Sequence, residues 1–504
     1  MAVFKGEIKE AAAQAAALST ACNTAFDTAS SNKVAYAQYF TPQTVADFMS
    51  DMFERSLGSS ALVLDPGAGE GILGLTLARR LHDNGILATT TLIEIDERVF
   101  RALRKNAGKS SFDADINLIN GDFLKVAFEL MHQGKRFTHV IMNPPYFKLQ
   151  RGSNASDYLL SGGVNVTNIY AAFMWLGLLL LEDGGQLVAI VPRSFCNGPY
   201  FIKLRQFIAE NVSIEAIHTF ATRDKVFSKD QVLQENVIIR FAKKQQSSSV
   251  KVTYSSDQGF FDVQQLEFQI DEVLKRDDPS LTIFIPAYAP VARLSDHARC
   301  TLAGVGLEVS TGPVVDFRLG DSISKDGSLA SVPLLYPAHM KDGQIVWPLH
   351  NLTKKGQYYR PQPNLLDGID PSFQRDKNVS PADGFYVVVR RFSSKEEKRR
   401  IYAAVVDSSH FAGGVAFENH LNYFHIKKHG FDEALAYGLS AYLNSSLLDD
   451  HFRTFSGHTQ VNATDLRNIP YPSEKQLRRI GRIALGAGLP IELVATPDLI
   501  KECL

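Results

Sequence analysis

Short apolar runs alternate with longer amphipathic stretches between residues 61 and 244. The runs ALVLD, TTTLIEID, INLINGD, THVIMN and QLVAIVP predict strands, and the stretches between them predict helices. Because these runs are nearly continuous in apolar residues, they are typical of strands that are covered on both faces of a sheet. The pattern therefore predicts a doubly wound α/β domain with a parallel sheet.

The alternation ends in the segment 274–290, LKRDDPSLTIFIPAYAP, where acidic residues and prolines predict a linker. The chain beyond it is irregular and rich in Gly, Pro and His, with short strands such as GFYVVVRRF, which favours a separate α+β or mostly β domain. We therefore expect an N-terminal helical extension at 1–36, an α/β domain at 37–285, an α+β domain at 290–475 and a C-terminal helical tail at 476–504.

Composition narrows the class of protein only slightly. The formal net charge is −1, so a nucleic-acid partner would have to bind a local basic patch rather than a globally basic surface. Four scattered cysteines fit a reducing cytosol and give no metal-ligand spacing. The most apolar segment, AAFMWLGLLLLEDGG, is too short to span a bilayer, and the N-terminus lacks the apolar core of a signal peptide. We expect a cytoplasmic protein with no membrane segment and no metal.

A glycine-rich loop, VLDPGAGEGILG at 63–74, follows the first predicted strand and opens the first predicted helix. It contains the G-x-G-x-x-G spacing of dinucleotide sites. However, Asp65 and Glu70 bracket the loop, and two carboxylates would repel a pyrophosphate. The loop suits a ligand with cationic or hydroxyl groups, such as S-adenosylmethionine, which has a sulfonium, an ammonium and a ribose diol.

Two further acids follow the next two predicted strands. Glu94 is placed to accept the ribose hydroxyls, and Asp122 is placed to accept from the adenine amine of the cofactor. Ile95 and Phe123 would sandwich the adenine ring. The alternative is that these residues are only turn acids and turn glycines. Their regular position after successive strands favours the cofactor site, because doubly wound folds bind ligands at that edge of the sheet.

The fourth predicted strand ends in VIMNPPYF at 140–147, where two prolines forbid a continued strand. A nucleobase amine is a poor nucleophile because its lone pair is delocalised into the ring. Two acceptors, the Asn143 side-chain oxygen and the Pro144 carbonyl, would restore that lone pair. Tyr146 offers a flat face for a base flipped out of a duplex. The Gly/Ser-rich loop that follows, 148–168, is expected to stay mobile until nucleic acid binds.

These motifs resemble the gamma-class amino-methyltransferases of restriction-modification systems, with YFTP first, then DPGAGEG, NPPY and a long C-terminal region. The resemblance covers most of the chain from Tyr39 to Ser473. It implies a Rossmann-like methyltransferase domain followed by an α+β target-recognition domain. The cofactor-binding residues implied by the match are Phe40, Thr41, Asp65, Gly67, Glu94, Ile95, Asp122 and Phe123. The residues implied for the target base are Asn143, Pro144, Tyr146 and Phe227, of which Phe227 is equally explained as a core residue.

The resemblance points to N6 of adenine in double-stranded DNA as the methyl acceptor. N4 of cytosine and a base in RNA are the alternatives. A bifunctional restriction enzyme is disfavoured, because no nuclease motif precedes YFTP. A DNA-binding module with an inactive methyltransferase fold is disfavoured by the intact NPPY sequence. The expected partners are DNA and, functionally, a cognate restriction endonuclease that the methylation protects against, and we expect a monomer in a bacterial cytoplasm.

The second half of the chain carries candidate DNA contacts. Residues 385–406 predict a strand followed by a helix, with Ser393 and Glu396 as a capping box. Basic residues cluster at this junction and can bind phosphates. The alternative is a solvated helix balanced by its own acids. Asn and His in FENHLNYFHIKKHG, 417–430, suit base-edge readout, and the spacing of His425 and His429 does not by itself make a metal site. The predicted DNA contacts are Arg390, Arg391, Lys395, Arg399, Asn419, His420 and Asn422.

Overall fold

A computed structural model describes most of the 504-residue chain. The described residues are 41–54, 59–109, 115–150, 152–220, 236–276, 278–286, 298–327, 331–352, 354, 356–361, 376–393, 397–411, 413–455 and 460–487. The predicted N-terminal extension and three predicted site residues, Phe40, Phe227 and Lys395, lie outside them. The chain divides into two compact units, Met1–Tyr288 and Ala289–Leu504.

The first unit alternates strands and helices as the apolar pattern predicts. Its strands are β1 (Ser60–Pro66), β2 (Leu87–Glu94), β3 (Asp115–Asn120), β4 (Phe137–Met142), β5 (Leu181–Pro192), β6 (Ser213–Phe220), β7 (Asn236–Ala242), β8 (Ser249–Ser255) and β9 (Gln264–Gln269). Its helices are α1 (Gln43–Asp51), α2 (Ile72–Asp83), α3 (Glu97–Ala107), α4 (Phe123–His132), α5 (Asn154–Ser161), α6 (Ile169–Leu179), α7 (Ile202–Asn211) and α8 (Ile270–Val273).

These nine strands form one sheet in the order β3-β2-β1-β4-β5-β7-β6-β8-β9. The five strands β1 to β5 pair in parallel, which confirms the predicted doubly wound fold. Strand β7 runs antiparallel to both neighbours, β5 and β6. The sequence did not predict this reversal, because an apolar run reports burial on two faces and carries no information on strand direction.

Local sequence explains where the helices near the sheet edge begin. Asp96 caps α3 by accepting from the backbone N–H groups of Arg98 and Val99, and Asp122 caps α4 by accepting from Leu124. The apolar segment that includes α6 is a core helix, with every residue from Ile169 to Leu178 buried. Within the described ranges, no helix is long and apolar enough to cross a membrane.

The segment 148–168 is not an irregular loop throughout. It contains α5, which begins after Ser153, whose hydroxyl accepts from the N–H of Ser156. Its two ends are tied together by a bridge between Lys148 and Asn168. The predicted mobility of this segment stays a prediction.

The second unit is a mixed α+β structure. Its strands are β10 (Glu308–Thr311), β11 (Ile323–Ser324), β12 (Val332–Leu335), β13 (Met340–Lys341), β14 (Gln344–Ile345), β15 (Tyr358–Tyr359), β16 (Val379–Ser380), β17 (Phe385–Arg390), β18 (Ala403–Asp407), β19 (Val415–Phe417) and β20 (Leu421–His425). Its helices are α9 (Glu433–Leu443), α10 (Ser446–Phe455), α11 (Ala463–Asn468) and α12 (Glu474–Ala487). The strands form a six-stranded sheet, β10-β20-β17-β18-β14-β13, and a five-stranded sheet, β11-β15-β12-β19-β16.

The predicted helix after β17 is wrong over its described part, 397–402. There the chain is a connection between the antiparallel strands β17 and β18. The Ser393 hydroxyl donates to the carbonyl of Arg400 at 2.6 Å, and Glu396 of the predicted capping box lies outside the described residues. The Arg400 side chain is buried and its backbone N–H donates to Asp449 at 2.6 Å. Tertiary contacts of a basic residue that looked solvent-exposed in the sequence therefore override the local helix signal.

Candidate active site

Strands β1 to β4 are parallel neighbours, so their carboxyl ends meet at one edge of the sheet. This geometry brings Asp65, Glu94, Asp122 and Asn143 to that edge, as the sequence predicts. Crevices at this edge are the usual ligand sites of doubly wound folds.

The glycine loop is fastened to the end of β2 by its backbone. The N–H groups of Gly67 and Ala68 both donate to the carbonyl of Ile93 at 2.8 Å, and the N–H of Gly69 donates to Glu94 Oε2 at 2.9 Å. Gly67 has a φ of +92°, which residues with a Cβ rarely adopt. The loop therefore approaches the end of β2 along its backbone, with no side chain in the way.

Asp65 is fully buried beneath this loop. Its Oδ2 accepts from the N–H of Gly74 at 2.9 Å, whereas its Oδ1 is buried and has no hydrogen-bond partner in the described part of the chain. Burial raises the pKa of Asp65 to about 7, because the charged carboxylate has lost its water. A buried acceptor without a partner is costly, and a cationic or N–H-bearing ligand would satisfy it.

Glu94 combines burial with two backbone hydrogen bonds. Its Oε1 accepts from the N–H of Asp96 at 2.8 Å, and its Oε2 accepts from Gly69. Burial raises its pKa, and the two hydrogen bonds partly oppose that rise. Each oxygen of an ionised carboxylate has two lone pairs, so this geometry leaves room for ribose hydroxyls. The next residue, Ile95, is 48% exposed, which suits a residue that covers one face of a ring.

Asp122 uses one carboxylate oxygen to cap α4, accepting from Leu124 at 3.0 Å, and burial raises its pKa. Phe123 is only 3% exposed, and its ring centroid lies 4.8 Å from that of Phe173 in α6. The Phe173 Cε1 atom lies 3.3 Å from the position that a Cβ on Gly67 would occupy. Phe173 therefore joins the glycine loop to Phe123. Sequence reasoning missed it, because α6 is apolar on all sides and gives no signal for one phenylalanine.

The Asn143 amide is oriented by a residue from the segment before α1. Its Nδ2 donates to the Thr41 hydroxyl at 3.0 Å, and Thr41 is buried. The sequence match assigns Thr41 to the cofactor, whereas the structure shows it holding the catalytic candidate Asn143. Pro144 is buried at the same corner, which fixes the direction of its carbonyl.

The Tyr146 hydroxyl lies between two acceptors. It is 2.8 Å from Asn143 Oδ1 and 3.0 Å from the carbonyl oxygen of Ile190 in β5, and its single proton serves one of them at a time. The Tyr146 ring packs edge-on to Tyr170 at 6.2 Å between centroids. These contacts fix the plane of the tyrosine ring.

The predicted DNA contacts in the second unit differ in accessibility. Arg390 forms an ion pair with Glu397 and stacks over Tyr402 at 4.4 Å. Arg391 donates to the carbonyl of Asn419 at 3.2 Å. Both arginines thus have internal partners that a phosphate would compete with.

Asn422 does not fit a base-reading role. It is 0% exposed, its Nδ2 donates to the carbonyl of Val461 at 2.7 Å, and its Oδ1 accepts from Thr311 at 3.0 Å. Its amide therefore joins β10, β20 and the segment before α11, and its prediction as a DNA contact is corrected to a structural role. His420, by contrast, pairs with Glu418 and keeps 42% of its side chain exposed.

His425 and His429 flank a turn at the end of β20 rather than sharing a helix. Over the described ranges, no group of three or more His, Cys, Asp or Glu residues is arranged to hold a metal ion.

Comparison with known proteins agrees with this geometry. The model of the Eco57I restriction-modification methylase family matches residues 2–227. The type II methyltransferase M.BsuBI of Bacillus subtilis is 38% identical over 465 residues, covering 90% of each chain. The type II methyltransferase M.PstI of Providencia stuartii is 35% identical over 466 residues, covering 88% of each chain. The type IIL restriction-modification enzyme MmeI, solved in complex with DNA, has the same fold with a TM-score of 0.50 and 15% identity, over 88% of this chain and 68% of its own.

The fold and the site define an S-adenosylmethionine-dependent methyltransferase, as the sequence predicts. The chain belongs to the gamma-class methyltransferases of type II restriction-modification systems, the family of M.BsuBI and M.PstI. The residues at the sheet edge fit the cofactor on one structural observation above all. The buried Oδ1 of Asp65, which has no partner among the described residues, is the acceptor that a ligand with a cationic group requires.

Proposed function

We propose that the protein transfers a methyl group from S-adenosylmethionine to N6 of an adenine flipped out of double-stranded DNA. The observation that carries this proposal is the Asn143–Pro144–Tyr146 corner, which lies beside the acidic end of the sheet with Asn143 already oriented by Thr41. Asp65, Gly67, Glu94, Ile95, Asp122 and Phe123 would hold the cofactor, together with Phe173. The bound cofactor supplies an electrophilic methyl group on a sulfonium.

The chain's own residues would make the adenine amine a nucleophile. Asn143 Oδ1 and the Pro144 carbonyl accept the two hydrogens of the amine, which favours a tetrahedral nitrogen and frees its lone pair. Both are neutral, weakly basic oxygens, so the amine keeps both protons during attack and releases one of them to solvent afterwards. Because the corner is preorganised, little reorganisation is needed at the moment of transfer.

Tyr146 would act twice. Its ring is fixed by Tyr170, so it offers a rigid face to the base, and stacking on an aromatic ring is worth about 1–3 kcal/mol per base. Its hydroxyl lies within hydrogen-bond distance of both Asn143 Oδ1 and the Ile190 carbonyl, which holds the tyrosine at the corner.

The second unit would bind DNA as the target-recognition domain, with Arg391, Asn419 and His420 among its contacts. The relatives M.BsuBI and M.PstI are type II methyltransferases, and MmeI was solved with DNA, which supports this assignment. The methylation would protect sites from a cognate restriction endonuclease in a bacterial cytoplasm. A monomer suffices, since one strand is modified in each event.

The test is to supply labelled S-adenosylmethionine with plasmid DNA, tRNA and protein in parallel and to identify the methylated nucleoside. The proposal expects N6-methyladenine in DNA alone. N4-methylcytosine in DNA would replace the adenine assignment, and label confined to RNA or protein would overturn the DNA assignment.

A further inference from the structure

Asn236, the first residue of β7, has a buried side chain with no hydrogen-bond partner among the described residues. It is 2% exposed, and both its Nδ2 and its Oδ1 lack a hydrogen bond to any described residue. The great majority of buried side-chain polar atoms have a partner, so a carboxamide with both atoms unsatisfied needs a reason. The free-energy cost of an unsatisfied buried amide is offset where a ligand supplies the missing hydrogen bonds.

The register of the sheet places Asn236 beside the catalytic corner. Asn236 pairs with Pro192 at the end of β5, and Ile238 pairs with Ile190. The carbonyl of Ile190 is the one that faces the Tyr146 hydroxyl at 3.0 Å. Asn236 therefore lies at the same edge of the sheet as the corner. Its pair with Pro192 is the next one toward that edge after the pair of Val191 with Val237.

The pleat of β7 settles which face the side chain occupies. Alternate residues of a strand share a face, so Asn236 lies on the face of Ile238. Ile238 packs in one cluster with Ile190 and with Val45 of α1. Helix α1 starts two residues after Thr41, which holds the Asn143 amide. Asn236 is thus on the face of the sheet from which the amide of Asn143 is oriented.

We propose that Asn236 binds the flipped base through a hydrogen bond from its amide to a ring nitrogen. The inference rests on the proposed function and adds a specificity residue to it. Asn143 and Pro144 would accept hydrogen bonds from the two amine hydrogens. These bonds do not involve the ring nitrogens of the flipped adenine, which need partners of their own. A desolvated amide that has no partner to give up among the described residues is preorganised to bond one of these nitrogens.

The first experiment tests whether Asn236 forms a hydrogen bond with one particular ring nitrogen of the base. Duplexes carry adenine, 1-deazaadenine, 3-deazaadenine or 7-deazaadenine at the target position, and kcat/KM is measured for wild type and Asn236→Ala. One analogue should lower kcat/KM of the wild type by roughly 5- to 100-fold, as expected for a lost hydrogen bond that leaves its partner unsatisfied. Asn236→Ala should show a similar loss with adenine and no further loss with that analogue.

Two outcomes would overturn the inference. One is full activity of Asn236→Ala on adenine, and the other is an analogue penalty of equal size in wild type and variant. A wild-type enzyme that methylates no adenine at all would instead remove the proposed function, so the two failures are distinguishable.

The second experiment separates binding from a structural role. Removing an unsatisfied buried amide also removes its desolvation penalty, so Asn236→Ala and Asn236→Leu should melt no lower than wild type. The matched control is Asn444→Ala, since Asn444 is buried but has its amide bonded to the backbone of Ala403 at 3.1 and 2.9 Å. The control should melt lower. Lower melting of both Asn236 variants would show a structural residue and refute the assignment.

Discussion

The edge of the first unit's sheet at which strands β1 to β4 end has two chemically different halves. The ends of β1, β2 and the turn after β3 present carboxyl groups, Asp65, Glu94 and Asp122. The ends of β4 and β7 present carboxamides, Asn143 and Asn236. Burial raises the pKa of all three acids, so each carboxyl group holds its proton more tightly than it would in water.

The difference matches two ligands of different charge. A sulfonium, an ammonium and hydroxyl groups stabilise buried carboxylates, whereas a neutral nucleobase offers N–H donors and ring nitrogens that pair with amides. Carboxamides do not titrate, so the amide half keeps its hydrogen-bonding pattern at every physiological pH. On the proposed function, ionisation of the acids would control cofactor binding, and shape and hydrogen bonding would control base binding.

The largest expected effect is on the amide half. Asn143→Ala should lower kcat by about 10²- to 10³-fold, because one of the two acceptors for the amine is lost from a preorganised site. Cofactor affinity, measured by calorimetry, should change little. Asn84→Ala, an exposed asparagine at the end of α2, is the control and should keep wild-type kcat. Equal loss of cofactor affinity and kcat in Asn143→Ala would contradict the division into two halves.

The matching change in the acidic half is Glu94→Ala. It removes the acceptor of two backbone N–H groups and of the ribose hydroxyls, so cofactor affinity should fall by roughly 10- to 100-fold. Titration calorimetry with S-adenosylmethionine measures the change. Glu97→Ala, an exposed acid three residues on, should bind as wild type does. Unchanged affinity in Glu94→Ala would remove this residue from the cofactor site.

A smaller effect concerns Asp65 and pH. The pKa of Asp65 rises from 3.8 to about 7 on folding, so its contribution to stability is fully present below pH 3.8 and is lost as pH rises through about 7. The cofactor-free wild type should therefore lose up to roughly 4 kcal/mol relative to Asp65→Asn between these limits.

Denaturant unfolding of wild type and Asp65→Asn at several pH values measures this difference, and groups that do not interact with Asp65 contribute equally to both proteins. The sign reverses for binding, because the ionised form is the better acceptor for a cation. Cofactor affinity of the wild type should rise as pH approaches 7. A pH-independent stability difference between the two proteins would show that Asp65 does not titrate in this range.

The smallest expected effect is in the second unit. Arg391→Ala should weaken DNA binding a few-fold and reduce the slope of log affinity against log salt by about 1. Asn422→Ala is the contrast, because losing the bonds to Val461 and Thr311 should lower the melting temperature and leave the salt slope unchanged. A salt slope that is the same in Arg391→Ala and wild type would exclude a phosphate contact for Arg391.

The sequence predicted the acidic half of the edge better than the amide half. Strand ends next to acids and glycines are visible as a pattern, because each motif directly follows an apolar run. Asn236 follows no such signal, since its importance comes from a strand that reverses direction and from hydrogen bonds that it lacks. Over 397–402 the helix predicted after β17 was wrong, because the burial of Arg400 and its contact with Asp449 decide that segment, and neither is a local property.

The Tyr146 hydroxyl gives the corner two alternative hydrogen-bonding arrangements. Its proton has two acceptors, 2.8 and 3.0 Å away, so a turn about one C–O bond changes which of the two it bonds. The hydrogen bonding of the corner can therefore change while its backbone stays in place. A rigid proline turn and a mobile hydroxyl proton are compatible, because only a single hydrogen atom moves.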